Sequence, residues 1–373
     1  MGEIRFAWWN LQNFFDTDDD PISKDFEYTA EEGWTEELYD AKTRNLADAL
    51  SATHGGEGPE LLAVCEIEKD AVLRDLLDEM GTDHMQVVTD PETRVRQEQP
   101  ARGSDELPAT SDLRGIDVTM AYDDRVLEVV SQASHVVHLR YRTRDIFEVV
   151  FEVVETGERL VVVAGHWPSR SLGKYRTDPL RAAVAEHVAY LVEDRVKVHP
   201  ARYEELREQG DDEALAAVRD RWETNVLVVG DFNDEPGDRS VTEHLKASSE
   251  RDRVVGETND IDGFRDETAD YRGQDVFLYN PMWRFLHEEN VGTYFIDRLR
   301  SGEKFANRYQ VLDQLVASRG LIGGEGLRLD LDSVEIVRDE QVATSSGRPR
   351  RFDKDTGNGV SDHLPVTARL TFE

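Results

Sequence analysis

The stretch Val226–Pro236, VLVVGDFNDEP, constrains the fold of this chain more than any other. Val226, Leu227, Val228 and Val229, followed by Gly230, have the pattern of a strand buried on both faces. The apolar run stops abruptly at Asp231, with Asn233 and Asp234 just beyond. An ionised carboxylate is rarely buried without a partner, so acid at the C-terminal end of an interior strand implies a cation or a hydrogen-bond donor beside it. A strand-end turn in which Asp and Asn bond their own backbone would produce the same spacing. The recurrence of the pattern elsewhere decides between the two.

Ile4 to Trp9 is apolar and β-prone and runs into Asn10. Leu61 to Cys65 is a short buried-strand run that ends in Glu66, with Glu68 two residues on as a further candidate ligand. Leu160 to Ala164 leads to Gly165, His166 and Trp167, and Val311 to Ser318 is a strand with a single acid, Asp313. Ahead of the closing strand, Pro365 to Phe372, stand Asp362 and His363. Strands of one sheet deliver their ends to a common edge, so these polar groups can converge across hundreds of residues.

Helical spacing marks Leu38 to Leu50 and Val72 to Met80. A third helix is predicted to start at Asp178 and Pro179 and to present Leu180, Val184, Val188, Leu191 and Val192 on one face; a fourth, charged stretch from Arg202 to Trp222 breaks near Gly210. Thr89 to Leu113 reads as a long polar loop, and Glu155, Thr156, Gly157 as a hairpin turn. There is no repeat at a solenoid period and no Gly/Ser- or Pro-rich linker, so residues 1–373 are expected to form one domain.

Carboxylate and amide oxygens without cysteine partners suit a hard cation, Mg²⁺ or Mn²⁺, with Ca²⁺ as a third candidate. Two histidines among them suit proton transfer or charge stabilisation near neutral pH. Hydrolysis of a phosphate ester needs such a set: a metal on the phosphoryl oxygens, a carboxylate for water, and cationic donors for the developing charge.

The segments WNLQNFF, CEIE, RGIDV, GHWPSR, GDFNDEP, LDQLVAS and SDHLPV, in this order from residue 9 to residue 366, resemble the successive motifs of the endonuclease/exonuclease/phosphatase superfamily, which includes deoxyribonuclease I and the exonuclease III-type abasic-site endonucleases. The resemblance implies an α/β fold, a four-layered α/β/β/α sandwich of two packed, mostly antiparallel mixed sheets flanked by helices, with the site at one end of the sheets. It implies that Asn10, Glu66 and Asp362 belong to the metal site, with Glu66 the direct ligand. Asp231 matches the acid that orients or deprotonates water, and Asn233 its amide partner at the phosphate. His363 matches the histidine on the scissile phosphate, Asp313 the acid that holds its tautomer, and His166 a second histidine at the leaving group. Cys65 and Gly165 stand where the superfamily commonly has Gln and Asn.

The formal net charge of −34, the predominance of Arg among the basic residues and a mean hydropathy of −0.59 describe an unusually acidic surface of the kind found in high-salt organisms. Such a surface argues against a broad nucleic-acid-binding face, because duplex binding at ordinary salt draws on counterion release by Lys and Arg. A polyanion must then be met by metal or by a local basic patch, for which Arg114, Arg170 and Arg176 are the candidates, with Arg348, Arg350 and Arg351 read as a solvated loop and, as the alternative, a further contact to a polyanion. Cys65, the only cysteine, reads as an inert core thiol. No charged leader precedes an apolar stretch and no apolar run is long enough to span a membrane, so the expectation is a cytoplasmic protein without a membrane or an obligate protein partner. The functional expectation is a metal-dependent phosphodiesterase, a nuclease acting on DNA; the alternatives are a phosphatase or lipid or small-molecule phosphodiesterase of the same fold, and a non-catalytic binding module. Self-repulsion of the acidic surface predicts that the melting temperature rises from dilute buffer to molar salt. A thermal scan series in NaCl that stays flat would refute this.

Overall fold

The computed structural model describes residues 2–18, 28–89, 117–139, 143–209, 212–256, 275–297 and 307–373. In chain order the strands are β1 (Gly2–Phe14), β2 (Leu61–Ile67), β3 (Met85–Val87), β4 (Asp117–Asp123), β5 (Leu127–His135), β6 (Ile146–Val153), β7 (Arg159–His166), β8 (Val226–Asp231), β9 (Ala247–Ser248), β10 (Leu278–Tyr279), β11 (Tyr294–Phe295), β12 (Tyr309–Gln310), β13 (Asp313–Ala317), β14 (Arg328–Ile336) and β15 (Val366–Phe372). The α-helices are α1 (Glu36–Gly56), α2 (Asp70–Glu79), α3 (Lys174–Val196), α4 (Pro200–Gln209), α5 (Asp212–Trp222), α6 (Arg251–Val255) and α7 (Arg319–Gly323).

One sheet runs β14-β15-β1-β2-β4-β3, the other β5-β6-β7-β8-β13-β10-β9, and β11 and β12 form a separate two-stranded arm. Both large sheets are mixed: β1 is parallel to β2, β7 to β8 and β9 to β10, and the remaining pairings are antiparallel. The alternation of side chains along each strand then builds the layers. On β8, Leu227 and Val229 face the first sheet and join the inter-sheet core, whereas Val226 and Val228 face outward onto Val184, Val188 and Val192 of α3. Leu46 and Leu50 of α1 and Val72 and Leu76 of α2 cover the first sheet. The result is the four-layered sandwich that the motif series implied.

The same period of two fixes where the site must lie. After Leu227 and Val229 the next inward residue of β8 is Asp231, so the carboxylate terminates the row of apolar side chains between the sheets. Parallel pairing with β7 sets His166 opposite Asp231, and antiparallel pairing with β13 sets Asp313 on its other side. Three polar residues from three strands thereby stand in one row.

The helix predicted from Asp178 starts four residues earlier, at Lys174. Pro179 lies inside it and supplies no N–H to the Tyr175 carbonyl one turn back, and the Lys174 carbonyl accepts Arg181 Nη2 at 2.9 Å. The polar loop expected between Thr89 and Leu113, and with it Arg114, falls at 90–116, outside the described residues apart from Thr89. Among the described residues no helix is long and apolar enough to cross a membrane.

On the outward face, Gly165 and Gly230 pair directly, and the rings of Trp167 and Phe232 stack beside them at 4.1 Å and 5°. A Cβ on Gly230 would meet the Gly165 carbonyl oxygen at 2.2 Å and Phe232 Cε1 at 3.0 Å. Because the collision is with backbone, Gly230→Ala is expected to destabilise the fold by about 1–3 kcal/mol. The denaturation midpoint of the purified variant tests this, and an unchanged midpoint would show that the two strands can part without cost.

Candidate active site

Asp231 is 2% exposed and is held at both oxygens. Oδ1 accepts the Asn233 amide at 2.9 Å, a contact made possible by the left-handed backbone of Asn233 (φ 51°), and Oδ2 accepts Asn10 Nδ2 at 3.2 Å from the opposite sheet. His166 Nε2 lies 3.4 Å from Oδ2, and His363 Nε2 3.9 Å from it. Asn233 in turn donates through Nδ2 to the Trp167 carbonyl at 3.2 Å, which ties the end of β8 to the end of β7.

Asp313, wholly buried, is the hub of a second set. Its Oδ2 meets His363 Nδ1 at 2.6 Å, and its Oδ1 accepts the indole N–H of Trp8 at 2.9 Å. Its amide donates to Thr293 Oγ1 at 3.0 Å. His363 is fixed through its backbone as well: its N–H donates to Ser361 Oγ, whose hydroxyl donates to the Asn10 carbonyl, and its own carbonyl accepts Trp9 Nε1. Asn10 therefore contacts both groups, by its side chain to Asp231 and by its carbonyl to the turn that carries His363.

Charge explains the protonation states. Burial pushes the Asp231 carboxyl up to about 7, with Asp313 and Glu66 adding to the effect and His363 and the Asn233 amide opposing it. Burial pulls His363 down, but the facing carboxylates of Asp313, Asp231 and Asp362 outweigh it and push the imidazole up to about 10. At neutral pH His363 is an imidazolium whose Nδ1–H is committed to Asp313 and whose Nε2–H faces Asp231.

Strict alternation would turn Glu66 to the face opposite Cys65. A register shift in β2 between Cys65 and Ile67, with Glu66 at φ 60°, re-aims its side chain into the site. A matching irregularity in β1 puts Gln12 and Asn13 in the left-handed region, both at φ 53°. From there the Asn13 amide donates to Glu66 Oε2 at 2.9 Å and the Gln12 amide to Asn10 Oδ1 at 3.0 Å. Glu66 Oε1 lies 3.8 Å from His166 Nε2. Glu68 turns elsewhere, accepting the Asp16 amide at 3.0 Å.

The donor set fits a hard divalent cation. Glu66, Asp362, Asp231 and the Asn10 amide offer oxygen, and burial, reinforced by Glu66, raises Asp362 while His363, Arg351 and Lys42 oppose this. Cys65 faces inward beside them, but burial, with Asp231 and Glu66, holds its thiol well above the usual range, so it offers no thiolate. Among the described residues Asp231, Asp313 and His363 bring one ligand atom each within 4.8 Å of one another. In that group Nδ1 of His363 is already bonded to Asp313, so these residues form a hydrogen-bonded relay.

Of the arginines picked out from sequence, Arg170 is 13% exposed and engaged by protein at every guanidinium nitrogen: Nε to the Asn233 carbonyl, Nη1 to Gln310 Oε1 at 2.7 Å, and Nη2 to Asp234 and Asp238 at 3.0 and 2.7 Å. Arg176 is exposed on the first turn of α3, and Arg114 lies outside the described residues.

The sequence pattern marks Trp8 only as core or rim packing and gives Lys42 no role. Lys42 is 1% exposed and donates from Nζ to the carbonyls of Gln12 and Asn13, bracing the irregularity that aims Glu66 and Asn10. Its signal was present: Tyr39, Lys42, Leu46 and Leu50 recur at helical spacing along the buried face of α1.

A family model described as Endonuclease/Exonuclease/phosphatase family matches residues 5–288. The fold is similar to that of the endonuclease/exonuclease/phosphatase from Bacteroides vulgatus (TM-score 0.53, 12% identity, covering 100% of both chains). It is also similar to the Bacteroides thetaiotaomicron mannosyl-6-phosphatase Bt3783 (0.51, 13%, 99% of this chain and 100% of that one). A third similar structure is D. rerio TDP2 complexed with single strand DNA product (0.50, 11%, 100% of both). No curated protein matches the chain.

The raised His363 and Asp231 have a stability consequence with a definite sign. His363, lifted from 6.5 to about 10, contributes stability that is fully present below pH 6.5 and is lost as pH rises through 10. Asp231, lifted from 3.8 to about 7, likewise makes the metal-free fold less stable as pH rises through that interval. With chelator present, the stability advantage of wild type over His363→Gln should be largest below pH 6.5 and shrink toward pH 10. Denaturation midpoints across pH test this; a constant gap would contradict the assigned imidazolium.

Proposed function

This chain belongs to the endonuclease/exonuclease/phosphatase family, and from that premise we propose that it is a divalent-metal-dependent phosphodiesterase that hydrolyses DNA. The observation that carries the proposal is the pairing of a buried carboxylate, Asp231, with an imidazolium, His363, whose Nε2 is 3.9 Å away and whose other nitrogen is held by Asp313 at 2.6 Å. Base and cation face one space between the sheet ends.

In this reading Asp231 orients water and takes its proton as the water attacks phosphorus and the P–O bond to the leaving sugar oxygen breaks, that oxygen taking its proton from solvent. Its two anchors, the Asn233 amide and Asn10 Nδ2, fix the direction of the lone pair that accepts the proton. His363 donates from Nε2 to a non-bridging phosphoryl oxygen, and Asp313 keeps the ring oriented while charge develops. His166 stands beside the base, 3.4 Å from Asp231 Oδ2. That position suits a contact to a non-bridging oxygen better than protonation of a leaving group on the far side of an in-line displacement. Glu66, with Asp362 and Asn10, would hold Mg²⁺ or Mn²⁺, which when bound neutralises phosphoryl charge. The Asn13 amide and, through the Gln12 and Asn13 carbonyls, Lys42 keep Glu66 in place.

A phosphatase acting on a small phosphate is the second reading, favoured by the −34 charge, which disfavours a long polyanion at low salt. The two separate on substrate. Supercoiled plasmid and a single-stranded oligonucleotide are incubated with Mg²⁺, Mn²⁺ or chelator at low and molar salt, beside phosphate release from monoesters. Metal-dependent cleavage that falls about 10²-fold or more in both His363→Ala and Asp231→Ala supports the nuclease reading. Monoester turnover without cleavage of either nucleic acid would replace it with the phosphatase.

A further inference from the structure

The polyanion-binding patch that the acidic composition demands is not formed by Arg170, whose guanidinium is consumed within the protein. On the other side of His363, the β11–β12 arm and the loop at 344–351 gather arginines, of which Arg308 and Arg348 form no ion pair among the described residues. Tyr294 bridges to His363 through the backbone, and its ring lies 4.9 Å from the imidazole at 41°. The next residue, Phe295, carries the guanidinium carbons of Arg308 and Arg348 at 4.7 and 4.2 Å from its centroid, with Tyr309 edge-on at 4.8 Å. Arg308 spends its hydrogen bonds on the backbone carbonyls of Ile296 and Asp297. Arg348 is exposed and, among the described residues, forms no ion pair.

The arm is built to hold these groups still. Tyr309 OH donates to the Ser346 carbonyl at 2.7 Å, the Thr344 amide to the Arg348 carbonyl at 2.8 Å, and Ala343 bridges to Pro349. Arg351 closes the gap to the site: its Nη2 contacts Asp362 at 3.2 Å. Elsewhere in the chain Arg181 is matched to Asp234 at 2.7 Å and Arg319 to Glu223 at 2.6 Å. Here two guanidiniums share one aromatic ring, and among the described residues neither forms an ion pair, on a chain of net charge −34.

We infer that Tyr294, Phe295, Arg308, Arg348 and Arg351 form a subsite for the unpaired nucleotide chain flanking the scissile phosphate. The Tyr294 ring takes a base or sugar next to His363, and Arg351 and Arg348 take successive phosphates outward along the arm. An aromatic face backed by arginines selects single-stranded chain, because a base must leave its stack to lie on the ring. The inference rests on the phosphodiesterase reading for its direction, but its test does not need turnover.

Binding of a fluorescein-labelled oligothymidylate to the His363→Ala protein, with Mg²⁺ present, is measured by anisotropy over a range of salt. Adding Arg348→Ala is expected to raise Kd about tenfold and to reduce the slope of log K against log salt by about 0.7, the loss of one single-strand phosphate contact. Arg348→Lys should restore the slope but only part of the affinity, since the ammonium keeps the charge and loses the planar stack. Duplex of the same length should bind more weakly than the single strand. A Kd and slope unaltered by Arg348→Ala in protein shown to be folded, equal affinity for duplex, or no binding by the His363→Ala parent at any salt would each overturn the subsite. Failure of the wild type to cleave a small phosphodiester would instead remove the phosphodiesterase reading and leave these binding results to judge the subsite alone.

Discussion

The structure around the site depends on burying two carboxylates, Asp231 and Asp313, side by side on the inner face of one sheet. Adjacent, in-register positions on β8 and β13 give them no choice but to share one low-dielectric space. Like charges so placed are costly unless cations and donors surround them. The chain answers from the opposite sheet: Trp8 and Asn10 on β1 donate to Asp313 and Asp231, and His363, carried just before β15, becomes an imidazolium between them. The two sheets are thus joined by polar contacts at one end and by apolar packing along the rest of their length.

A second layer of ion pairs holds the loops that carry this arrangement. Arg181 and Asp234 are both wholly buried and meet at 2.7 Å, Ser240 donates to the same carboxylate at 2.6 Å, and Arg170 and Lys174 converge on Asp238. Breaking one partner of a buried pair strands the other, so this network specifies the GHWPSR and GDFNDEP loops relative to each other more than it adds net stability. Lys42 does the equivalent for the first sheet. It satisfies carbonyls exposed by two consecutive left-handed residues, and that local distortion is what allows Glu66 to face inward.

Net charge and site charge pull in different directions. The surface repels polyanions at long range, whereas the space beside Asp231 collects His363, His166 and, on the Tyr294 side, the arginines of the β11–β12 arm and the 344–351 loop. Screening weakens the first effect and leaves the second, at contact distance, largely intact. Salt therefore acts on encounter more than on the chemistry of the bound phosphate.

Much of this was legible in the order of residues. Period-two alternation identified the buried strands, and their polar ends, Asn10, Glu66, His166, Asp231, Asp313 and His363, come together in space because strand ends of packed sheets share an edge. The motif series carried the layer order for the same reason. Folding decided what alternation cannot express: that Glu66, out of phase with Asn10 and Cys65, is turned inward by a left-handed residue, and that Arg170 is consumed by Asp234 and Asp238 while Arg308 and Arg348 form no ion pair among the described residues. Sequence by itself determined which side chains stand at strand ends, since that follows from local periodicity. Only the tertiary structure decided which charges meet, because pairing depends on distances across the chain that no local pattern encodes.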